Sequence, residues 1–106
     1  MRICIDSNQF IFGIAGTDAA AERVLLLLPH LEVVIPHLVV QEVTRNLNAS
    51  EVNALYILFN KAPRLTIINE PVPAPLVTKY IALGLREKGD AFIGAFVEWQ
   101  EAHYLI

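Results

Sequence analysis

Charge, cysteine and long apolar runs are all scarce in this sequence. Charged residues make up 18% of the chain, below the usual share for soluble domains. The one cysteine, Cys4, cannot form a disulfide within the chain, which favours a reduced, cytoplasmic compartment. The apolar run from Val24 to Leu28 is interrupted by Pro29, far short of the roughly 20 residues that a membrane helix needs. The N-terminus reads as a strand rather than a signal peptide, so we expect no membrane association.

Basic residues are too few for broad binding to a nucleic-acid backbone. The chain has 8 Lys and Arg against 11 Asp and Glu, a net charge of −3. Proteins that hold nucleic acid by neutralising its phosphates need clustered Lys and Arg. The charge balance therefore disfavours that class of protein. It remains compatible with an enzyme that contacts phosphate through metal ions held by carboxylates.

Apolar sequence is abundant and is divided into short periodic segments. Hydrophobic residues make up 55% of the 106 residues, enough for one domain with two or three layers. Short runs rich in β-branched residues predict four strands, ending at Asp6 and then covering 31–35, 65–68 and 103–106. Helical spacing and caps predict helices over 19–28, 37–47, about 50–61, 76–85 and 91–102. Residues 9–16 read as a passage of small residues between elements.

The order of these elements predicts the class of fold. Strands alternate with one or two helices as β-α-β-α-α-β-α-α-β, which is typical of an α/β protein with right-handed crossovers. We therefore expect a three-layer α/β/α domain with a central, mostly parallel sheet of about four strands.

Three acids stand at element boundaries where a parallel sheet has its cleft. Asp6 ends the first strand, and ligands of open α/β sheets bind at the carboxyl ends of strands. Glu42 lies in the helix after the second strand, and Asp90 opens the most apolar helix. Each has a simpler explanation. Asp6 is a common turn residue, Glu42 could pair with Arg45 on the helix surface, and Asp90 could cap its helix.

Three carboxylates brought to one cleft predict a bound cation. Carboxylates repel one another unless a cation lies among them. Oxygen ligands without Cys or His partners favour Mg²⁺ or Mn²⁺, which bridge readily to substrate phosphate. Such an ion polarises a phosphoryl oxygen and lowers the pKa of an attacking water.

These residues resemble the PIN domain family. The resemblance rests on Ile-Asp-Ser-Asn at 5–8, on Val-Val-Gln-Glu-Val-Thr-Arg-Asn-Leu at 39–47, and on Lys-Gly-Asp-Ala-Phe-Ile-Gly-Ala-Phe at 88–96. It runs through the whole chain, 1–106, and implies a PIN-like fold. The activity it implies is metal-dependent hydrolysis of RNA phosphodiester bonds by water, in many members as the toxin of a toxin–antitoxin pair.

The resemblance also implies roles for individual residues. Asp6, Glu42 and Asp90 would be the catalytic acids that bind Mg²⁺ or Mn²⁺. Ser7 and Asn8 would orient these acids or their metal-bound waters. The partners implied are an RNA substrate, an antitoxin protein and a second copy of the chain in a homodimer.

Two basic residues are candidates for contact with the phosphates of the substrate. Arg45 lies one turn beyond Glu42, and Lys88 precedes Asp90 closely. Ordinary surface charge explains Lys88 equally well.

The sequence departs from the family pattern at its end. Family members have a further acid or amide in a turn after the strand that corresponds to His103–Ile106, whereas this sequence stops at Ile106. We therefore expect a shortened PIN-like domain without its C-terminal turn and edge strand. This departure keeps open a catalytically inert PIN-like module for binding or dimerisation.

The remaining candidates rank lower. A phosphatase-type domain with Asp6 as nucleophile usually needs a second acid within a residue or two, and the neighbours of Asp6 do not supply one. His37 is predicted to begin a helix. Trp99, Phe92 and Phe96 are predicted to lie in the core or in a dimer surface rather than to stack on nucleotide bases.

Overall fold

The computed structural model describes residues 2–85 and 90–106 of the chain. In this part of the chain there are four strands, six α-helices and one short 3₁₀ helix (Leu28–His30). In chain order the strands and α-helices are β1 (Arg2–Cys4), α1 (Ser7–Ala15), α2 (Ala19–Leu27), β2 (Glu32–Pro36), α3 (His37–Arg45), α4 (Ala49–Asn60), β3 (Leu65–Ile68), α5 (Ala74–Ala82), α6 (Asp90–Trp99) and β4 (Tyr104–Leu105).

The four strands form one parallel sheet in the order β3-β2-β1-β4. Ile3 lies opposite Val33 of β2 on one side and Tyr104 of β4 on the other. Along the chain, β2 is added beside β1 and β3 beside β2. The chain then returns across the sheet and adds β4 on the other side of β1. Ligands of open α/β sheets bind where the strand order reverses in this way. Asp6, just after β1, therefore stands at the expected place.

Helices cover both faces of the sheet, as the three-layer prediction requires. Alternate side chains of a strand point to opposite faces. Ile3 and Ile5 accordingly pack with the larger apolar cluster, whereas Cys4 packs with the smaller one. The larger cluster includes buried residues of α1, α2, α3 and α4, and the smaller one is built around Phe96 of α6. Right-handed crossovers explain this division. The connections from β1 to β2 and from β2 to β3 place their helices on one face of the sheet. The connection from β3 to β4 runs across the sheet in the opposite direction, so its helices lie on the other face.

Helix α1 was not predicted from the sequence. It spans residues 7–15, where the pattern suggested only a passage between elements. Tertiary packing explains it: Phe10 is fully buried, and an added Cβ on Gly13 would lie 2.5 Å from Leu25 Cδ1. A glycine in a helix interior has poor helix propensity, but here it allows α1 to pack closely against α2.

Two helices differ in detail from what their local sequence suggests. Helix α4 begins at Ala49 and is capped by Asn48, with a capping box in which Glu51 reaches back to the Asn48 backbone. Helix α6 is not buried all round, because only Ala91, Ala95 and Phe96 are buried within it. It lies on the thinly covered face of the sheet, so apolar composition overstated its burial.

Cys4 is a core residue. It is fully buried and unpaired. Burial, together with the nearby charge of Asp6, raises the pKa of the Cys4 thiol to about 12. None of the helices in the described part of the chain has the length and hydropathy that crossing a membrane requires.

Candidate functional site

Asp6 links the end of β1 to the start of α1. Its backbone is extended, with φ −72° and ψ 155°, and its carboxylate Oδ1 accepts a hydrogen bond from the Ser7 backbone N–H at 2.8 Å. Asp6 is thus the N-cap of a helix, a role for which aspartate is well suited. Its own N–H donates to the Ile106 carbonyl at 2.7 Å, which ties the residue to the end of β4, the strand beside β1 in the sheet.

Ser7 connects Asp6 to Glu42. The Ser7 hydroxyl donates to Glu42 Oε2 at 3.0 Å and lies 3.4 Å from Asp6 Oδ1. Ser7 is the one buried polar residue in the described part of the chain, with 7% of its surface exposed. Because Ser7 lies in α1 and Glu42 in α3, this hydrogen bond joins two elements at the carboxyl edge of the sheet.

Glu42 is half-buried on α3 and does not pair with Arg45. Within 4.0 Å, the described residues form ion pairs only between Arg2 and Glu32 and between Lys79 and Glu98. The simpler explanation for Glu42, a surface pair with Arg45, therefore does not hold in this structure. Arg45 is exposed at the end of α3.

Asp90 is the first residue of α6 and is exposed. A carboxylate in the first turn also interacts favourably with the helix dipole. Asp90 nevertheless lines a small cavity of about 110 Å³ together with Asp6 and Glu42. The structure therefore brings together the three acids that were predicted from positions far apart in the sequence. The apolar residues of this cavity are Leu38, Val39, Phe92 and Ile93.

Three further residues were considered for the site from the sequence: Asn8, Lys88 and His37. Asn8 is exposed and makes no side-chain hydrogen bond with a described residue. Lys88 lies outside the described residues. His37 is the first residue of α3, the helix-entry position expected for it.

The donor chemistry of the cavity is right for a hard divalent cation, but the acids do not converge on one point. All three side chains offer carboxylate oxygens, the ligands that Mg²⁺ and Mn²⁺ prefer. Across the described ranges, no group of three or more His, Cys, Asp or Glu side chains is arranged closely enough to hold a metal ion. Binding an ion would require these side chains to close around it.

Two grooves open beside the acid cavity. The larger one, about 710 Å³, runs between α3 and α5 and is lined by Leu38, Glu42, Arg45, Val72, Ala74, Val77, Thr78, Ile81 and Phe92. The smaller one, about 280 Å³, lies beside the linker between β3 and α5, and its polar lining includes His37, Gln41, Asn69 and Glu70. Leu38 and Phe92 line the acid cavity and both grooves.

Phe92 was predicted to lie in the core or in a dimer surface, and the structure does not place it in the core. It is half-buried and belongs to neither apolar cluster, whereas Phe96, one turn later, is 1% exposed. Apolar composition alone could not separate the two rings. The signal available in the sequence was the position of Phe92 two residues after Asp90, near the start of the helix.

The α5 wall of the large groove is held by contacts with α6. Helix α5 has no buried residue, so a conventional core does not fix it. Instead, the Tyr80 ring lies against Gly94, where an added Cβ would be 3.0 Å from Tyr80 Cδ1. Lys79 Nζ and the Tyr80 hydroxyl both donate to Glu98 Oε1, at 2.7 and 3.1 Å. The ion pair lowers the pKa of Glu98 and raises that of Lys79.

Comparison with known proteins supports the fold. No protein-family model and no curated protein sequence matches the chain. Among solved structures, the chain is similar to a chain of the crystal structure of VapBC2 from Rickettsia felis bound to a DNA fragment from their promoter. The TM-score is 0.65 and the sequence identity 19%, over all of this chain and 87% of that one. At this identity the likeness establishes the fold alone. The chain therefore has the three-layer, PIN-like α/β fold with a parallel sheet that its sequence predicts.

Proposed function

We propose that this protein is a metal-dependent endoribonuclease and acts as the toxin component of a toxin–antitoxin pair. The observation that carries the proposal is the single cavity lined by Asp6, Glu42 and Asp90 at the point where the strand order reverses. The structural likeness to a VapBC toxin–antitoxin complex supports the biological role. An antitoxin protein, a homodimeric state and a cytoplasmic location belong to the same proposal.

The residues of the site have distinct roles in this proposal. Asp6, Glu42 and Asp90 would hold Mg²⁺ or Mn²⁺, which supplies a polarised phosphoryl oxygen and an activated water. Ser7 holds Glu42 through the 3.0 Å hydrogen bond and so limits the rotamers of that carboxylate. Asp6 is oriented by the backbone of α1. Arg45 on the rim of the large groove contacts a substrate phosphate, and Lys88 is a second candidate for such a contact.

Cleavage of RNA tests the proposal. Single-stranded RNA is incubated with the protein in Mg²⁺, in Mn²⁺ and in EDTA, and the products are resolved by length. We expect internal cleavage that requires the metal and is lost in Asp6→Asn and Asp90→Asn. Asp18→Asn is the matched control, because Asp18 caps α2 away from the cavity and asparagine caps a helix as well as aspartate does. Wild-type rates in both folded site variants would show that the site is wrongly assigned.

A second candidate is a PIN-like module without catalysis that serves in binding or dimerisation. The specific observation in its favour is that the three acids do not converge into a metal site among the described residues. Exposed apolar side chains such as Leu26 and Leu27, at 77% and 55% exposure, are also compatible with a protein partner. This module would bind no Mn²⁺ at millimolar concentration and would leave RNA intact.

A further inference from the structure

One aromatic side chain joins the acid cavity to the large groove. Phe92 lines both, and Leu38 lies beside it in both. A molecule whose phosphate reached Asp6, Glu42 and Asp90 could therefore place an adjoining group against the Phe92 ring without leaving the continuous surface. The large groove is mostly apolar, with Glu42, Arg45 and Thr78 as its polar side chains.

The groove also carries a cation available for an anionic ligand. Arg45 lines it, is exposed, and forms no ion pair with any residue in 2–85 or 90–106. A guanidinium binds phosphate through charge-assisted hydrogen bonds. The smaller groove has neither Lys nor Arg among its described lining residues, which include Glu70 and, as the one basic side chain, His37. A polyanion is therefore favoured along the Arg45 side of the cavity.

We propose that the large groove binds an unstacked base of single-stranded RNA, with the base against Phe92 and a neighbouring phosphate on Arg45. This proposal rests on the proposed function and specifies which residues of this chain hold a base and a phosphate of its substrate. Bases of single-stranded loops and ends can splay out and stack on aromatic side chains, whereas bases within a duplex are already stacked and paired. Because the chain has few basic residues, phosphate contacts alone would contribute little binding free energy. Stacking of a base on Phe92 adds to it.

A peptide segment could also occupy an apolar groove, but two observations favour a nucleotide. The same ring borders the three acids, so the groove continues the acid cavity rather than forming a separate patch. The cation on its rim has no partner among the described residues, which suits a ligand that alternates apolar rings with negative charge.

Fluorescence of 2-aminopurine in a short single-stranded RNA tests base stacking without catalysis. The protein is titrated into the RNA in EDTA, so that no metal-dependent cleavage occurs. We expect a saturable change in 2-aminopurine fluorescence, as the base leaves its stacked neighbours for the ring, with wild type and with Phe92→Tyr, which keeps an aromatic face, and none with Phe92→Leu. Phe12→Leu is the matched control, because Phe12 is an exposed phenylalanine of α1 outside both grooves and the acid cavity. It should bind as wild type does.

Kinetics and salt dependence give two further readouts. In Mg²⁺, Phe92→Leu should raise KM by about 5- to 150-fold, the loss that one base–aromatic stack produces, while kcat stays close to wild type. Arg45→Gln, a change on the surface, should lower affinity and reduce the slope of log K against log salt by about 0.7, the value of one phosphate contact on a single strand. Thermal unfolding of each variant checks that it is folded.

The outcomes separate this proposal from the proposed function. If 2-aminopurine fluorescence changes through Phe92 but wild type cuts no RNA, the base site stands and the nuclease assignment fails. If wild type cuts RNA while folded Phe92→Leu keeps both the wild-type KM and the wild-type fluorescence change, the base site is overturned. The groove would then be available for a protein segment instead.

Discussion

The Ser7 hydroxyl donates to Glu42 Oε2 at 3.0 Å, across 35 residues of sequence. This hydrogen bond ties the first turn of α1 to the middle of α3 and holds a half-buried carboxylate in a single direction. Among residues 2–85 and 90–106, the side-chain donor beside Glu42 is this neutral hydroxyl rather than a cation. No cation of these residues therefore neutralises the carboxylate that Ser7 positions.

Removal of the Ser7 hydroxyl measures how much its hydrogen bond to Glu42 contributes to the stability of the fold. Ser7→Ala loses the hydrogen bond to Glu42, and we expect the free energy of unfolding to fall by about 0.5–1.5 kcal/mol. Because Glu42 is half-buried, water can replace part of the lost bond. Urea denaturation measures the change, with Ser50→Ala, an exposed serine near the start of α4, as the control. A Ser7→Ala protein as stable as wild type would show that the bond contributes nothing to folding.

Glu42→Gln tests the charge of Glu42 apart from its hydrogen bond. The side-chain oxygen of glutamine still accepts from the Ser7 hydroxyl, so stability should change by less than about 0.5 kcal/mol. Mn²⁺ affinity and RNA cleavage should nevertheless fall by tenfold or more, on the order of one lost carboxylate ligand. Glu101→Gln, an exposed acid outside the site, should leave both unchanged. If Glu42→Gln lost Mn²⁺ affinity and RNA cleavage only to the extent that it lost folded protein, Glu42 would have a structural role only.

The Gly13 position in α1 should not tolerate a side chain. In most helix interiors Gly→Ala is stabilising, but at Gly13 the new Cβ would lie 2.5 Å from Leu25 Cδ1, 2.9 Å from Leu25 Cγ and 3.1 Å from the Ala21 carbonyl oxygen. We expect Gly13→Ala to destabilise the protein by about 1–3 kcal/mol through overpacking of α1 against α2. Thermal or urea unfolding measures it. A stabilised Gly13→Ala variant would mean that the two helices are farther apart than described.

The Cys4 thiol should make stability depend on pH in the alkaline range. Its pKa is raised from 9.0 to about 12 in the folded protein by burial and by the charge of Asp6. The folded state therefore keeps a proton that the unfolded chain loses, and the resulting contribution to stability is intact below pH 9 and declines as the pH rises toward 12. The difference in unfolding free energy between wild type and Cys4→Ala should narrow from pH 8 to pH 11. A constant difference over that range would contradict the raised pKa.

Much of the fold could be predicted from the sequence because its strands have strong local signals. The β-branched runs around Val33 and Ile67 and the stops at proline place β2 and β3 nearly as observed. Helix α1 could not be predicted in this way. Its start, Asp-Ser-Asn, is equally typical of a turn, and its interior glycine is explained only by the contact with Leu25 of α2, which the local pattern does not contain.

The same distinction applies to the candidate site. The acids could be predicted because Asp6 and Asp90 stand at element boundaries and Glu42 lies in the helix that follows β2, and parallel topology brings these positions to one edge of the sheet. Phe92 and the α5 wall of the large groove were not predicted. Their placement depends on how α5 packs on α6 through Tyr80, Gly94 and the Lys79–Glu98 pair, a tertiary contact with no periodic signal in the sequence.

Calorimetric titration of Mn²⁺ tests the central claim most directly, since it asks whether Asp6, Glu42 and Asp90 act as one site. We predict that wild type binds Mn²⁺ with heat that disappears in Asp6→Asn, Glu42→Gln and Asp90→Asn alike, while Asp18→Asn binds as wild type does. Any one of the three substitutions should remove most of the affinity, because the three ligands share one ion. Absence of Mn²⁺ binding by folded wild-type protein at millimolar concentration, or binding that survives all three substitutions, would contradict the account.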